Sequence, residues 1–485
     1  MKYSEVKNYI GGNLVPCKTE KYWDKISPND GSLLTRVPLS LKDDLTDAVK
    51  VAEKAFVNWS DKTIKDRVQI LYKYRTLLEK YIEDHARIIH EEIGKTKEEG
   101  RQEVNKSIEL LEFACSMPQV ACAPNLYVTS GVECRTEYIP LGVVASITPF
   151  NFPHMVPHWT FPNAIALGNT IIMKPSRYTP LSLLRIAELL SEAGLPDGVF
   201  NVINGGKEIV EAISEQSGIK AVTFVGSTQV AKLIYAKSSA NFQRALTLGS
   251  ANNHLILLPD AHVEMAASNI VASFTGTAGQ RCMSACVMVA VGDCEAVIQR
   301  IVELTRQIRA GFEMGAIINQ EAKDSITGFI NRAEKDGAKI IVDGRNVVVE
   351  GKEKGTYLGP TIIDHATKDM EIAREENFGP VLTIVRVKTL DEAIDIANSS
   401  PYGNGGSIFT QNGKSAQVFA QKIEAGMVGV NVGVPVPREP FGFGGWKDSK
   451  FGVGDITGES SIAFWTKSKK ITTKWNPEAK LNWMS

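Results

Sequence analysis

A chain of 485 residues with 43% hydrophobic and 22% charged side chains has the make-up of a large globular protein of two or three domains. Its formal net charge of −1 excludes a global field that would draw in nucleic acid or an anionic membrane, so any anion selectivity is local. No apolar run approaches the roughly 18–20 residues of a bilayer span, and the opening MKYSEVKNYIGG lacks a charged-then-apolar leader, so a reducing cytoplasm is expected.

Residues 42–57 place Leu45, Ala48, Val49, Ala52, Ala55 and Phe56 on one helical face, and 64–95 continues with apolar residues three and four apart among charges. Residues 126–139 predict a hairpin turning near Ser130-Gly131. From 141 the texture changes: LGVVASITP and NTIIMKPS are short, β-branched runs bounded by Gly or Pro, as buried parallel strands are. Helices over 180–193 and 207–215, then a strand over 220–225, continue a strand–helix alternation that predicts a parallel sheet with helices on its faces. A second alternating series runs from 254 to about 450, with strands at 286–291, 339–342 and 381–387. Residues 462–475 are a further β-rich stretch, and its aromatic and β-branched content suggests a sheet edge covered in an oligomer.

Seven cysteines (Cys17, Cys115, Cys122, Cys134, Cys282, Cys286 and Cys294) are scattered and odd in number, giving neither a disulfide framework nor the paired CxxC set of a zinc site; no metal is expected. The strongest local feature is Gly279-Gln280-Arg281-Cys282, behind the small-residue run Thr275-Gly276-Thr277-Ala278. A thiol beside an arginine and flanked by small residues is open and biased toward thiolate. The plain alternative is an inert core cysteine, of which Cys286 in ACVMVAV is the better example. Asn151, in Pro149-Phe150-Asn151-Phe152-Pro153, either makes a turn or donates from a rigid amide to a developing oxyanion. Lys174, in Met173-Lys174-Pro175-Ser176, ends a strand and points at the crevice where doubly wound sheets bind nucleotides. Phe224-Val225-Gly226-Ser227-Thr228 runs from strand into helix, whose first N–H groups suit a pyrophosphate, although GxGxxG is absent.

Together with Glu375-Glu376-Asn377-Phe378-Gly379-Pro380 and Phe441-Gly442-Phe443-Gly444-Gly445-Trp446-Lys447, these motifs stand in the order seen in the aldehyde dehydrogenase superfamily, which the chain resembles from Tyr9-Ile10-Gly11-Gly12 to Trp475. The resemblance implies an α/β fold of two doubly wound parallel-sheet domains plus a small β oligomerisation element. The nucleotide-binding domain would span 1–123 and 140–249, the catalytic domain 250–455, and the element 124–139 and 456–485. It also implies that Cys282 attacks the aldehyde carbon while Asn151 and the Cys282 N–H hold the oxyanion. Lys174 and Glu376 would hold cofactor ribose hydroxyls, Ser227 would meet the pyrophosphate, and Phe378 would pack near the nicotinamide. Ile147, Pro149, Phe150, Ser176, Phe224, Gly226 and Gly249 are expected around the same NAD or NADP, and Phe152 and Phe443 beside the aldehyde. The thiohemiacetal gives up hydride and becomes a thioester. A homodimer or homotetramer is the implied assembly.

Three departures from the common pattern carry information. Most hydrolytic members have a glutamate upstream of the cysteine that activates water, but here Gly249 aligns Thr247 with it, and counting back from Cys282 gives Leu248; neither is a base. One branch also lacks it, the methylmalonate-semialdehyde dehydrogenases, which pass the acyl group to coenzyme A. PFNFPHMVPHWTFPNAIALGNT, Asn253-His254, GQRCM and Asn431-Val432-Gly433-Val434-Pro435 resemble that branch, so CoA is the expected acceptor. The alternative is a CoA-independent enzyme that releases the free acid of a lactaldehyde or of a sulfonated or phosphorylated short aldehyde; a more distant one is an inactive homologue. Second, Lys106 replaces the branch's arginine, and Arg438-Glu439 replaces apolar residues. Lys106, Arg281 and Arg438 together are expected to bind an anionic group on a short aldehyde. Third, Arg177 stands where many NAD-preferring relatives carry a glutamate, which allows a 2′-phosphate and leaves the cofactor as NAD or NADP.

Overall fold

The structure, a computed structural model, describes residues 1–475. Residues 476–485 of the expected terminal element lie outside the described residues. The first sheet has eight strands in the order Asn13–Val15, Asn8–Ile10, Phe200–Val202, Thr170–Lys174, Val143–Ile147, Ile219–Val225, Arg244–Leu248 and Lys450–Phe451. The five from Phe200–Val202 to Arg244–Leu248 run parallel. Val143–Ile147 and Thr170–Lys174 are buried at every position, because helices cover both faces: Val144, Ile171 and Met173 enter one core group, and Val143, Ala145 and Ile172 the other. Such burial is why these segments read as unbroken apolar runs rather than as alternation. Strand order reverses between Val143–Ile147 and Ile219–Val225, and the crevice beyond their C-terminal ends is a topological switch point.

The second sheet has seven strands: Lys339–Val342, Thr361–Ala366, Val381–Val387, Ala285–Val291, Asn253–Leu257, Gly405–Phe409 and Met427–Val430. All neighbours in it are parallel except the first pair. A third, antiparallel sheet joins Asn125–Thr129, Val132–Pro140 and Thr466–Lys474, and the hairpin turns at Ser130-Gly131 as expected, with Gly131 at φ 75°.

Residues 64–95 are helical as expected, in two pieces, Ile64–Lys80 and Ile82–Ile93, parted at Tyr81. A single helix over that span would run about 48 Å, longer than a small domain is wide; the break turns Ile88, Ile89 and Ile93 into the core. Three other expectations need correction. The stretch from 462 begins as a short helix, Ser460–Trp465, in which Ser461, Ile462, Phe464 and Trp465 are all buried; only Thr466–Lys474 is strand. Both large sheets are parallel inside, but the first is antiparallel at both margins and the second at the Lys339–Val342 margin. Lys450–Phe451, from the expected second domain, pairs with Arg244–Leu248 of the first sheet and so stitches the two together.

One buried ion pair fixes the start of a helix beside the sheet junction. Lys95 donates to Glu103 at 2.6 Å, and both side chains are almost fully enclosed. The other Glu103 oxygen accepts the His154 and Met155 N–H groups at 2.8 and 3.0 Å, at the head of the helix Met155–Ala166. Removing one partner strands a buried charge, so Glu103→Ala is expected to cost about 3–5 kcal/mol. A urea midpoint equal to that of the parent would contradict this.

Candidate active site

The loop Pro149–Pro153 leaves the strand Val143–Ile147 and turns Asn151 inward, where it is buried. Its flanks are pinned by aromatic contacts. Phe150 packs edge-on against Tyr178 and Phe378, each at 6.0 Å, while the Lys95 ammonium lies 3.7 Å from the centre of the Phe152 ring. The Asn151 amide donates to the Gln280 carbonyl at 3.0 Å, which sets its orientation and leaves its second N–H for another acceptor.

Cys282 sits at the end of an unusual turn. Thr277, Ala278 and Gly279 are successively left-handed, with φ of 54°, 51° and 71°. At Gly279 this is more than conformational freedom: a Cβ would lie 2.0 Å from the Gly379 carbonyl oxygen, so only glycine lets the two loops meet. Glu99 accepts the Thr277 N–H at 2.6 Å, and the Gln280 side chain bonds Thr277, Ala316 and Ile318 backbone. Asn253, which starts the strand Asn253–Leu257, and Asn404, just before the neighbouring strand Gly405–Phe409, both donate to the Cys282 carbonyl, at 2.8 and 2.9 Å. Glu99 also forms a capping box with Thr96 at the head of the helix Lys97–Cys115. Sequence reasoning left out Glu99, Gln280 and Asn404; the Thr96-x-x-Glu99 spacing was a visible signal for the first.

Two cavities meet at Cys282. The larger, about 660 Å³, lies at the switch point and also touches Asn151. Ile147, Pro149, Phe150, Lys174 and Ser176 line it from two strand ends; Phe224, Gly226, Ser227 and Gly249 from the next two. Glu376 and Phe378 reach it from the second sheet's side, and Arg177 from the rim. Every residue expected around the nucleotide therefore borders one cleft. Ser227 is the N-cap of the helix Thr228–Ala240 and makes no capping bond with its side chain. The smaller cavity, about 270 Å³ and mostly apolar, is bordered by Phe152, Phe443, Lys106, Arg281 and Arg438, all five of the residues expected around the substrate.

Burial governs the ionisable groups here. It lowers Lys174 to about 8, helped by the nearby Arg177 charge. Desolvation raises Glu376 to about 7, against hydrogen bonds from Ser250 and the Ala251 N–H. It also pushes the Cys282 thiol up to about 12, with the Glu376 charge acting the same way. The expected thiolate bias is therefore corrected: N–H groups and Arg281 pull the thiol down, but desolvation outweighs them. A Cβ at Gly276 would lie 2.1 Å from the Arg281 guanidinium, so the arginine folds over that glycine. Thr247 donates its hydroxyl to the Ala231 carbonyl, and Leu248 joins the apolar group on which Cys282 packs. Neither residue puts a base beside the thiol.

A cleft of about 660 Å³ and a side pocket of about 270 Å³ share one thiol where the two α/β sheets meet. The chain belongs to the aldehyde dehydrogenase family, whose pattern matches residues 15–471. It is similar to malonate-semialdehyde dehydrogenase 1 of Geobacillus thermodenitrificans, 42% identical over 97% of this chain and 99% of that one. Among solved structures it resembles a methylmalonate-semialdehyde dehydrogenase of Oceanimonas doudoroffii (39% identity, TM-score 0.96, covering 98% of this chain and 99% of the other). It also resembles a candidate methylmalonate-semialdehyde dehydrogenase of Sinorhizobium meliloti 1021 complexed with NAD (37% identity, TM-score 0.96, 98% and 99%).

A thiol held near 12 is a poor nucleophile at neutral pH. In the free protein, alkylation of Cys282 by iodoacetamide, followed by peptide mass mapping, is expected to climb roughly tenfold per pH unit from pH 7 to 10 without levelling. A plateau below pH 9 would contradict the burial argument.

Proposed function

We propose that the chain oxidises a short anionic aldehyde of the malonate-semialdehyde type through a thioester on Cys282, and that the acyl group passes to coenzyme A. The observation that carries the acceptor is the pair Thr247 and Leu248, turned into packing where hydrolytic relatives place a glutamate. Without a positioned base, water reacts slowly with the thioester, whereas a thiol acceptor brings its own nucleophile.

The chain's residues divide the work. Cys282 forms the bond to the aldehyde carbon, and its thiol proton must leave first. Asn151, held by the Gln280 carbonyl, keeps one N–H to hold the resulting oxyanion together with the Cys282 N–H. Lys174 is a buried cation with no ion pair within 4 Å among the described residues, and Glu376 is a half-buried carboxyl; both suit ribose hydroxyls in a cleft of about 660 Å³. At the head of the helix Thr228–Ala240 the Thr228 N–H donates to the Ser250 hydroxyl, and the Gln229 and Val230 N–H groups, with no capping side chain on them, suit a pyrophosphate. Held by Lys174, Glu376 and the helix head at Ser227, a nicotinamide dinucleotide would supply the hydride acceptor for the carbon bound to Cys282. NAD and NADP both suit the cleft, since Arg177 lies over Trp23 and Tyr178 (5.0 and 5.3 Å) and is paired with no carboxylate among the described residues, so a 2′-phosphate is drawn in rather than repelled. Arg281 sits in the substrate cavity with no ion pair among the described residues and suits the carboxylate of the aldehyde. The exposed edge residues Leu126, Tyr127 and Val128 support contact with a second copy, as a homodimer or homotetramer.

Asn151→Ala is expected to lower kcat by about 10²–10³ while leaving nucleotide affinity unchanged; an unaltered kcat would return Asn151 to a purely structural role. The acceptor is tested by steady-state nucleotide reduction with malonate semialdehyde, with and without CoA, for NAD and NADP. Turnover that needs CoA and yields an acyl-CoA supports the reading. Equal turnover to the free acid without CoA overturns it.

A further inference from the structure

Three cations border the 270 Å³ cavity in front of Cys282, but they are not equally available. Arg438 is 82% exposed, and its nearest carboxylate, Glu109, is 3.9 Å away. Lys106, on the helix Lys97–Cys115, donates to Glu109 at 2.9 Å and to Glu439 at 3.3 Å. Expected as a free anion anchor, Lys106 instead meets two carboxylates at once. Glu439 comes from the loop that also carries Val434, Val436 and Pro437 along the cavity wall. Its side chain is only 13% exposed and that of Lys106 only 22%, so solvent screens this pair weakly. Glu109 and Glu439 border an adjoining outer pocket with Arg438 rather than the cavity itself, so they hold Lys106 and Arg438 from behind. Arg281, next to the thiol, has no ion pair within 4 Å among the described residues, and Glu99 is the carboxylate whose charge acts on it.

We infer that Glu439 is a specificity-determining residue: by engaging Lys106 at the cavity mouth, it limits the site to aldehydes whose distal group carries a single negative charge. This rests on the anionic substrate proposed above. A monoanion of three or four carbons is served by Arg281 alone. A dianion needs a second cation, and Lys106 is already shared with a carboxylate whose charge repels the newcomer.

Glu439→Gln tests this, since it keeps the shape and hydrogen-bonding capacity of the side chain and removes only its charge. Its kcat and KM are measured with propanal, malonate semialdehyde and phosphonoacetaldehyde, which are neutral, singly charged and close to doubly charged. KM is expected to fall about threefold to tenfold for malonate semialdehyde and further for the phosphonate, with kcat within about twofold. Propanal kinetics stay as in the parent and report that the variant is folded. Adding Lys106→Gln erases the gain. Unchanged or raised KM for both anionic aldehydes, or an equal shift for all three, overturns the inference. If the parent already prefers malonate semialdehyde to propanal and Glu439→Gln changes nothing, the role of Glu439 fails while the substrate class stands. If the parent shows no such preference but the variant gains one, the substrate class fails and the role of Glu439 stands.

Discussion

The structure hangs on the turn that delivers Cys282. Two successive non-glycine residues, Thr277 and Ala278, are held in the left-handed region, at a cost of about 1–2 kcal/mol each. That cost is met by contacts from every side: Glu99 from a helix of the first domain, Asn151 from the first sheet, and Asn253 and Asn404 from the second. The turn is thus the place where the two sheets are joined, and the nucleophile's position depends on both being docked. Gly279 shows how little slack remains, since its α-carbon faces the Gly379 backbone with no room for a methyl group.

The same enclosure sets the chemistry. Lys174, Glu376 and Cys282 are all shifted toward their neutral forms by desolvation where the two sheets meet. Such groups are poorly satisfied by the protein alone and are ready to bond polar atoms of a ligand. The cleft and the side pocket differ in kind: one offers backbone N–H groups, a lysine and a carboxyl, the other mainly apolar walls with Arg281 near the thiol. A large polar nucleotide and a small aldehyde are thereby sorted before any reaction begins.

Much of this could be read from the sequence, for identifiable reasons. Strands such as VVASI and TIIMK announce themselves because a parallel strand covered on both faces tolerates only apolar residues. Cys282, Asn151, Lys174 and Glu376 lie in loops whose composition is fixed by close approach, so short motifs mark them. What stayed hidden depends on three-dimensional neighbours. The break at Tyr81 follows no Pro or Gly, and the helical start at Ser460 lies in a β-branched and aromatic stretch. The thiol's burial is not visible in GQRC, where Arg281 looks like an activating neighbour; its guanidinium is folded over Gly276. Likewise Lys106 reads as a free cation until Glu439, distant in the chain, is found against it.

On the proposed function, Cys282 carries an acyl group which this chain, lacking a base at Thr247 or Leu248, does not hand readily to water. The most direct measurement mixes the protein with malonate semialdehyde and nucleotide in the absence of CoA, quenches in acid and records the intact mass. One acyl adduct per chain is expected, located at Cys282 by peptide mapping, persisting after a single burst of nucleotide reduction and disappearing when CoA is added. Unmodified protein beside continuous nucleotide reduction would contradict it.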